Sequence, residues 1–177
     1  MSRRRTGIVI LLLSTLQVAL VQGSAQAGRA RCFDRAPTII GTAGPDEIRG
    51  TPGRDVILAL GGNDVVAARG GHDLVCGGDG RDILLGGRGV VNDLISGGAG
   101  GDELRGRAGR DHLAGSSGRD AIWGGRGRDL LWGMAGDDRL MGGSDEDTFD
   151  GGPGTDFCDF KAVADDNWQS CEDFHRS

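Results

Sequence analysis

Written from Gly41 in lines of nine, the chain places an apolar residue at the eighth position of every line. The series begins Ile48, Ile57, Val66, Val75 and Leu84 and ends Leu131, Leu140, Phe149 and Cys158. The residue two places earlier is always aspartate, and the fourth is glycine in every line except the one holding Asp145. Thirteen such lines fill Gly41–Asp159. One of them, Gly86–Ser96, needs eleven residues to keep phase, and its extra pair near Val90 and Val91 is expected to bulge outward.

The two parts of a line need different backbones. The first six residues, G-x-x-G-x-D, are turn chemistry: glycine takes positive φ without steric cost, and aspartate bonds to nearby amides. The last three form a very short strand, whose period of two sends the middle, apolar residue to one face. One inward side chain per nine residues buries nothing alone, so the units must stack. The pattern predicts an all-β parallel solenoid with two lines per turn and two sheets back to back. Residues i and i+18 would lie in register about 4.8 Å apart, and six and a half turns would make a rod on the order of 30 Å long.

Composition narrows the alternatives. Of 177 residues, 35 are glycine, and no aromatic side chain occurs between Asp34 and Ile122. An ordinary globular core draws much of its buried area from aromatics. Only four prolines and no Gly-X-Y run exclude collagen. A structureless glycine-rich chain would not hold aspartate and an apolar residue in phase thirteen times.

Stacking at a period of 18 also lines up the aspartates. One edge would carry Asp46, Asp64, Asp82, Asp102, Asp120, Asp138 and Asp156; the other would carry Asp55, Asp73, Asp93, Asp111, Asp129 and Asp147. Carboxylates in a column at strand spacing repel by roughly 1 kcal/mol per pair even in bulk water. A hard divalent cation between successive turns would reverse that sign, taking carboxylate oxygens from the columns and carbonyls from the glycine turns. Such an oxygen set suits calcium; magnesium wants a tighter octahedron, and zinc asks for N or S ligands. The competing reading is that the aspartates only cap their own turns, with the column-five arginines Arg54, Arg81, Arg110, Arg119 and Arg128 standing beside them in place of a cation.

The ends are different. Residues 1–27 read as a signal peptide: Arg3, Arg4 and Arg5, then a mostly apolar Ile8–Val21, then Ala25-Gln26-Ala27. The apolar stretch is shorter than the roughly 20 residues of a spanning helix, so no membrane span is expected after cleavage. Arg3-Arg4 raises twin-arginine export, but Thr6 and Gly7 stand where hydrophobic residues should follow, which favours general secretion to the extracellular space. Removing three arginines with that segment leaves 17 basic against 26 acidic groups, a balance that repels nucleic acid and attracts cations. Cys32, Cys76, Cys158 and Cys171 lie in the exported part, where disulfides form. Four cysteines allow three pairings; proximity favours Cys32–Cys76 and Cys158–Cys171. Residues 28–40, with Cys32 and Phe33, and residues 160–177, with Phe160, Trp168 and Phe174, are expected to cap the ends of a 41–159 solenoid.

Lines such as GGDGRDILL at 77, GGAGGDELR at 97 and GGRGRDLLW at 124 resemble the hemolysin-type calcium-binding repeat, the RTX nonapeptide. The resemblance spans 41–159 and extends to small secreted calcium-binding proteins of high-GC Gram-positive bacteria. It implies a parallel β-roll in which calcium is ligated by the column-six aspartates and turn carbonyls. Three departures bear on individual sites: arginine is the commonest column-five residue where strong binders carry Asn or Asp, the line at 86 is enlarged, and Asp145 replaces a turn glycine. Gaps between successive aspartates set a ceiling of eleven ions, about half of them expected to fill at millimolar calcium.

No enzyme is expected. HExxH and GxSxG are missing, Ser116 and Ser117 lie in a turn with no argued partnership to His112, and adjacent carboxylates on such a lattice carry no weight as a glycosidase pair. The expected function is a secreted, non-enzymatic calcium-binding protein that folds on meeting the ion. The alternative is a calcium-scaffolded cell-surface adhesion or structural protein, with Trp123, Trp132 and Met141 pointing outward at column nine.

Overall fold

A computed structural model describes residues 31–159 and 167–171. The expected signal peptide and most of the expected C-terminal cap, including Phe160 and Phe174, lie outside the described residues.

The described chain is strand and turn throughout, without helix. The strands are β1 Ile39–Ile40, β2 Glu47–Arg49, β3 Val56–Gly61, β4 Val65–Arg69, β5 Leu74–Asp79, β6 Ile83–Gly87, β7 Leu94–Ala99 and β8 Glu103–Ala108. They continue as β9 His112–Ser117, β10 Ala121–Arg126, β11 Leu130–Ala135, β12 Arg139–Ser144, β13 Thr148–Asp150, β14 Phe157–Asp159 and β15 Asn167–Gln169. Odd strands form one eight-stranded sheet and even strands a seven-stranded one. All pairings between these strands are parallel, as two-line turns require; Ile57 pairs with Val75, and Ile122 with Leu140. The step is 18 residues, but 20 where Leu74 meets Leu94 and Ile83 meets Glu103 across the enlarged line, and 19 where Thr148 meets Asn167. Val90 takes up the difference by standing 91% exposed.

The column-eight side chains form one continuous ladder between the sheets, from Ile48 at 8% exposure to Val66 through Leu140 at 0%. Buried Ala59 and Ala68, at column one, join it. The strands are longer than the three residues read from the sequence. Pairing skips column one and resumes at columns two and three, as in Trp123↔Met141 followed by Gly125↔Gly143 and Arg126↔Ser144. Column two manages this in the left-handed region, with Leu60 at φ 82° and Arg107 at φ 85°. The free turn is therefore columns four to six. At column four, Gly118 has φ 126°, and a Cβ there would run into the carbonyl of Gly100 one turn away, so a side chain at this position would push the turns apart.

Disulfides join Cys32–Cys76 and Cys158–Cys171, each with Cα atoms 5.8 Å apart, which resolves the pairing. At the N-terminal end β1 adds a rung: Ile39 pairs with Ile57 and packs against the core. Thr38 accepts the Val56 amide on its hydroxyl at 2.9 Å. Cys32 is fully buried while Phe33 is 38% exposed, so the disulfide rather than the ring anchors this segment. At the other end β15 pairs with β13, Phe149 beside Trp168 in register.

Candidate metal centres

Both aspartate columns run where the sequence places them, one along each edge of the roll. What the sequence did not reveal is their burial: every column-six aspartate from Asp55 to Asp156 is at most 4% exposed. Each carboxylate is used in two ways. From Asp64 onward, Oδ1 accepts the amide of the aspartate one turn earlier, so Asp64 Oδ1 takes Asp46 N at 2.8 Å and Asp120 Oδ1 takes Asp102 N at 2.7 Å. Eleven such bonds, at 2.7–2.9 Å, connect all eleven gaps. This ladder offsets part of the carboxylate repulsion and fixes the columns in register. Column five copies it in places: Asn63 and Asn92 accept the amides of Arg81 and Arg110, and Asp137 that of Thr155.

The second oxygen, Oδ2, divides the loops into two kinds. In the loops headed by Gly41 and Gly50, threonine closes it. Asp46 Oδ2 accepts Thr42 N at 2.6 Å and the Thr42 hydroxyl at 3.0 Å, and Asp55 Oδ2 accepts Thr51 N and hydroxyl at the same distances. In the enlarged line Gly87 N reaches Asp93 Oδ2 at 2.7 Å. In the other gaps, Oδ2 of Asp64, Asp73, Asp82, Asp102, Asp111, Asp120, Asp129 and Asp138 is buried without a hydrogen-bond donor. The column-five arginines do not supply one: Arg128 pairs instead with exposed Glu146 at 2.7 Å.

Those oxygens face other acceptors. A Cβ built on Gly106 would lie 2.5 Å from Asp111 Oδ2 and 2.8 Å from the Gly124 carbonyl; on Gly133 it would lie 2.5 Å from Asp138 Oδ2 and 2.6 Å from the Gly151 carbonyl. Where column one is glycine, it is thus a notch, free of side chain, where a carboxylate oxygen and a carbonyl of the following turn converge. Two buried acceptors with no donor between them call for a cation or a proton. Among the described residues no three His, Cys, Asp or Glu side chains converge on one point. An ion here must therefore take most of its oxygens from peptide carbonyls, a mixed hard set that calcium accepts and zinc does not.

The same burial shifts the carboxyl groups. It raises Asp64, Asp82, Asp93 and Asp138 above the ordinary range, Asp73, Asp111 and Asp120 to about 6, and Asp102 and Asp129 to about 7. The amide bond from the previous turn pulls each back down, and in most cases the next aspartate in the column pushes up again. His72, whose Nδ1 lies 3.0 Å from the Asn92 carbonyl, favours the charged forms of Asp73 and Asp93.

Other residues singled out from the sequence have structural uses. Asp145 keeps the left-handed turn at φ 80°, and its Oδ2 accepts Gly127 N at 3.0 Å. Trp123 and Met141 are register partners on the seven-stranded sheet, with Arg105 stacked 5.0 Å over Trp123; Trp132 lies on the other sheet, its ring 5.8 Å from His112. Ser116 faces Ser96 hydroxyl to hydroxyl at 3.2 Å, away from any histidine partnership.

A parallel two-sheet solenoid with carboxylates and carbonyls stacked along both edges defines a cation-binding β-roll. A family model for the RTX calcium-binding nonapeptide repeat matches residues 40–75, 68–90, 91–122 and 123–158, two thirds of the chain, and the chain belongs to that family. Calcium is the ion such repeats bind. Neither the search of curated proteins nor that of solved structures found a match.

Proposed function

We propose that this is a secreted, non-enzymatic calcium-binding protein whose roll forms as calcium enters the loop edges. The observation that carries the reading is the set of eight buried carboxylate oxygens without a donor. Leaving a buried polar atom unsatisfied costs about 1–3 kcal/mol, more when it is charged. Eight of them rival the whole 5–15 kcal/mol by which a domain is stable. The aspartates Asp64, Asp73, Asp82, Asp102, Asp111, Asp120, Asp129 and Asp138, with column-one carbonyls, would hold the ions, and the positive charge would replace repulsion with attraction between turns. Because the cages exist only in the folded chain, binding energy becomes folding energy. Export rests on the leader-like residues 1–27 and on two disulfides. The test is far-UV circular dichroism of the full chain: coil-like in EGTA, β on adding millimolar calcium, reversible. A β spectrum unchanged by EGTA at neutral pH sinks the coupling.

A second reading, calcium-scaffolded adhesion at a cell surface, draws on the groove on the eight-stranded side lined by Trp132, Met134 and Pro153, where Met134 is 50% exposed. Calcium-dependent retention on cell-wall fractions, lost in Trp132→Ala, would favour it.

A further inference from the structure

The two kinds of loop follow one backbone rule. In the lines that head a gap, wherever the column-two residue is left-handed, at Leu60, Arg69, Gly78, Gly98, Arg107, Ser116, Gly125 and Met134, the aspartate is one of the eight whose Oδ2 has no donor; Gly143 and Gly152 are left-handed too, but their lines, those of Asp147 and Asp156, close the columns and head no gap. Thr42, Thr51 and Gly87 stay out of the left-handed region, and their amides turn onto Oδ2. A β-branched residue resists positive φ, so threonine at column two selects the closed path on its own. Its hydroxyl then completes the closure. Thr42 Oγ1 donates within reach of Asp46 Oδ2 and the Gly44 carbonyl at 3.1 Å, and accepts Gly44 N at 3.2 Å; Thr51 repeats the pattern with Gly53 at 3.3 and 3.1 Å. In these loops threonine does locally what a cation does elsewhere.

Resting on the calcium reading above, we infer that the first turn of the roll, Gly41–Leu58, is an ion-independent platform, and that calcium is confined to the eight gaps headed by the donor-free aspartates. Those headed by Asp46, Asp55 and Asp93 take none. The platform has its own supports. Cys32–Cys76 ties the segment before it to the turn after it. Thr38 stitches β1 to β3, and Ile48, Ile57 and Ala59 begin the core. A solenoid that lacks ions thus keeps one formed turn on which the next can stack, and ordering proceeds from the N-terminal end.

The test uses the full oxidised chain and calcium alone. Isothermal titration should give no more than eight ions per chain. Asp46→Asn with Asp55→Asn should leave that number unchanged, whereas Asp82→Asn with Asp102→Asn should lower it. If the latter variant fails to fold, hydrogen exchange on the unaltered chain still decides: in EGTA, amides of 38–58 should stay protected while those beyond 77 exchange. More than eight ions, a drop in stoichiometry for Asp46→Asn with Asp55→Asn, or protection of 38–58 only with calcium would each overturn the assignment while leaving the calcium reading intact. No calcium binding at all would overturn both.

Discussion

Stripping the chain with a chelator at about pH 8 and then lowering the pH toward about 5 is expected to restore β-structure rather than destroy it, because protons and calcium answer the same defect. Five aspartates reach about 6 or 7 in the folded chain (Asp73, Asp102, Asp111, Asp120 and Asp129), with burial as the leading cause. An acid whose folded value lies above its unfolded one gives stability that is fully present below the unfolded value and is lost as pH rises through the folded value. The window is therefore about pH 4 to 7, with stability falling as pH rises across it. Each proton held only by the folded state changes stability by about 1.4 kcal/mol per pH unit. Even two such protons give roughly 3 kcal/mol per unit, about a hundredfold change in the folded ratio, so the transition should complete within one or two units. The assay is circular dichroism of the full chain in EGTA during a pH titration, with calcium-saturated protein as reference. Its companion is the calcium titration itself, whose midpoint should move to higher calcium as pH falls, since the ion displaces protons. A chelated chain that holds its β-structure at pH 8 and loses it on acidification, as an ordinary ion-paired domain would, refutes the reasoning.

Further outcomes are expected in calcium-saturated protein. Leu113→Ala empties a fully buried rung between Ile95 and Leu131 and should cost about 2–5 kcal/mol in denaturant melts. Gly118→Ala, at φ 126° and facing the Gly100 carbonyl, should cost about 1–3 kcal/mol for the backbone conformation alone and lower the calcium stoichiometry of its edge. Cys32→Ser with Cys76→Ser opens a closure of 44 residues, and Cys158→Ser with Cys171→Ser one of 13. Chain entropy puts the losses at about 4 and about 3 kcal/mol, so thermal melts should rank the N-terminal pair as the greater loss.

Much of the fold was legible because one rule repeats. An apolar residue two places after each aspartate sets the inward rung, and a fixed period of nine makes residues 18 apart neighbours; Ile57, Val75 and Ile95 stack as that rule requires. The enlarged line was legible for the same reason, since phase resumes only if Val90 leaves the stack. Strand length was not. Glycine-rich triplets read as turns, yet Gly78 and Gly98 pair in the sheet because the left-handed backbone at column two returns the chain to the ladder after column one is skipped. Aspartate burial was not legible either. A charged side chain at a turn reads as solvated, and only the stacking of one loop on the next, with Asp64 taking the Asp46 amide, removes it from water.

The aspartate column alone does not say where ions go. All thirteen lines carry the residue, so its presence cannot distinguish Asp55 from Asp73, which are even joined in the same ladder, the Asp55 amide donating to Asp73 Oδ1. What separates them is four residues upstream, where Thr51 and Arg69 take opposite signs of φ. An amide that turns inward satisfies Asp55 Oδ2; an amide that turns away leaves Asp73 Oδ2 buried without a donor. The carboxylate supplies charge in both loops, but the backbone at column two decides whether that charge is answered from within the loop or by an ion. A β-branched residue at column two thus marks a closed loop, whereas tolerance of positive φ permits an open loop without fixing it, since Gly87 stays out of the left-handed region and closes on Asp93. The rule can be checked by substitution: Ser116→Thr should turn the 116 amide onto Asp120 and remove one ion, while Thr51→Val, still β-branched, should create none. Loss of no ion in the first variant, or gain of one in the second, would show that the aspartate's surroundings and not the column-two backbone set the choice.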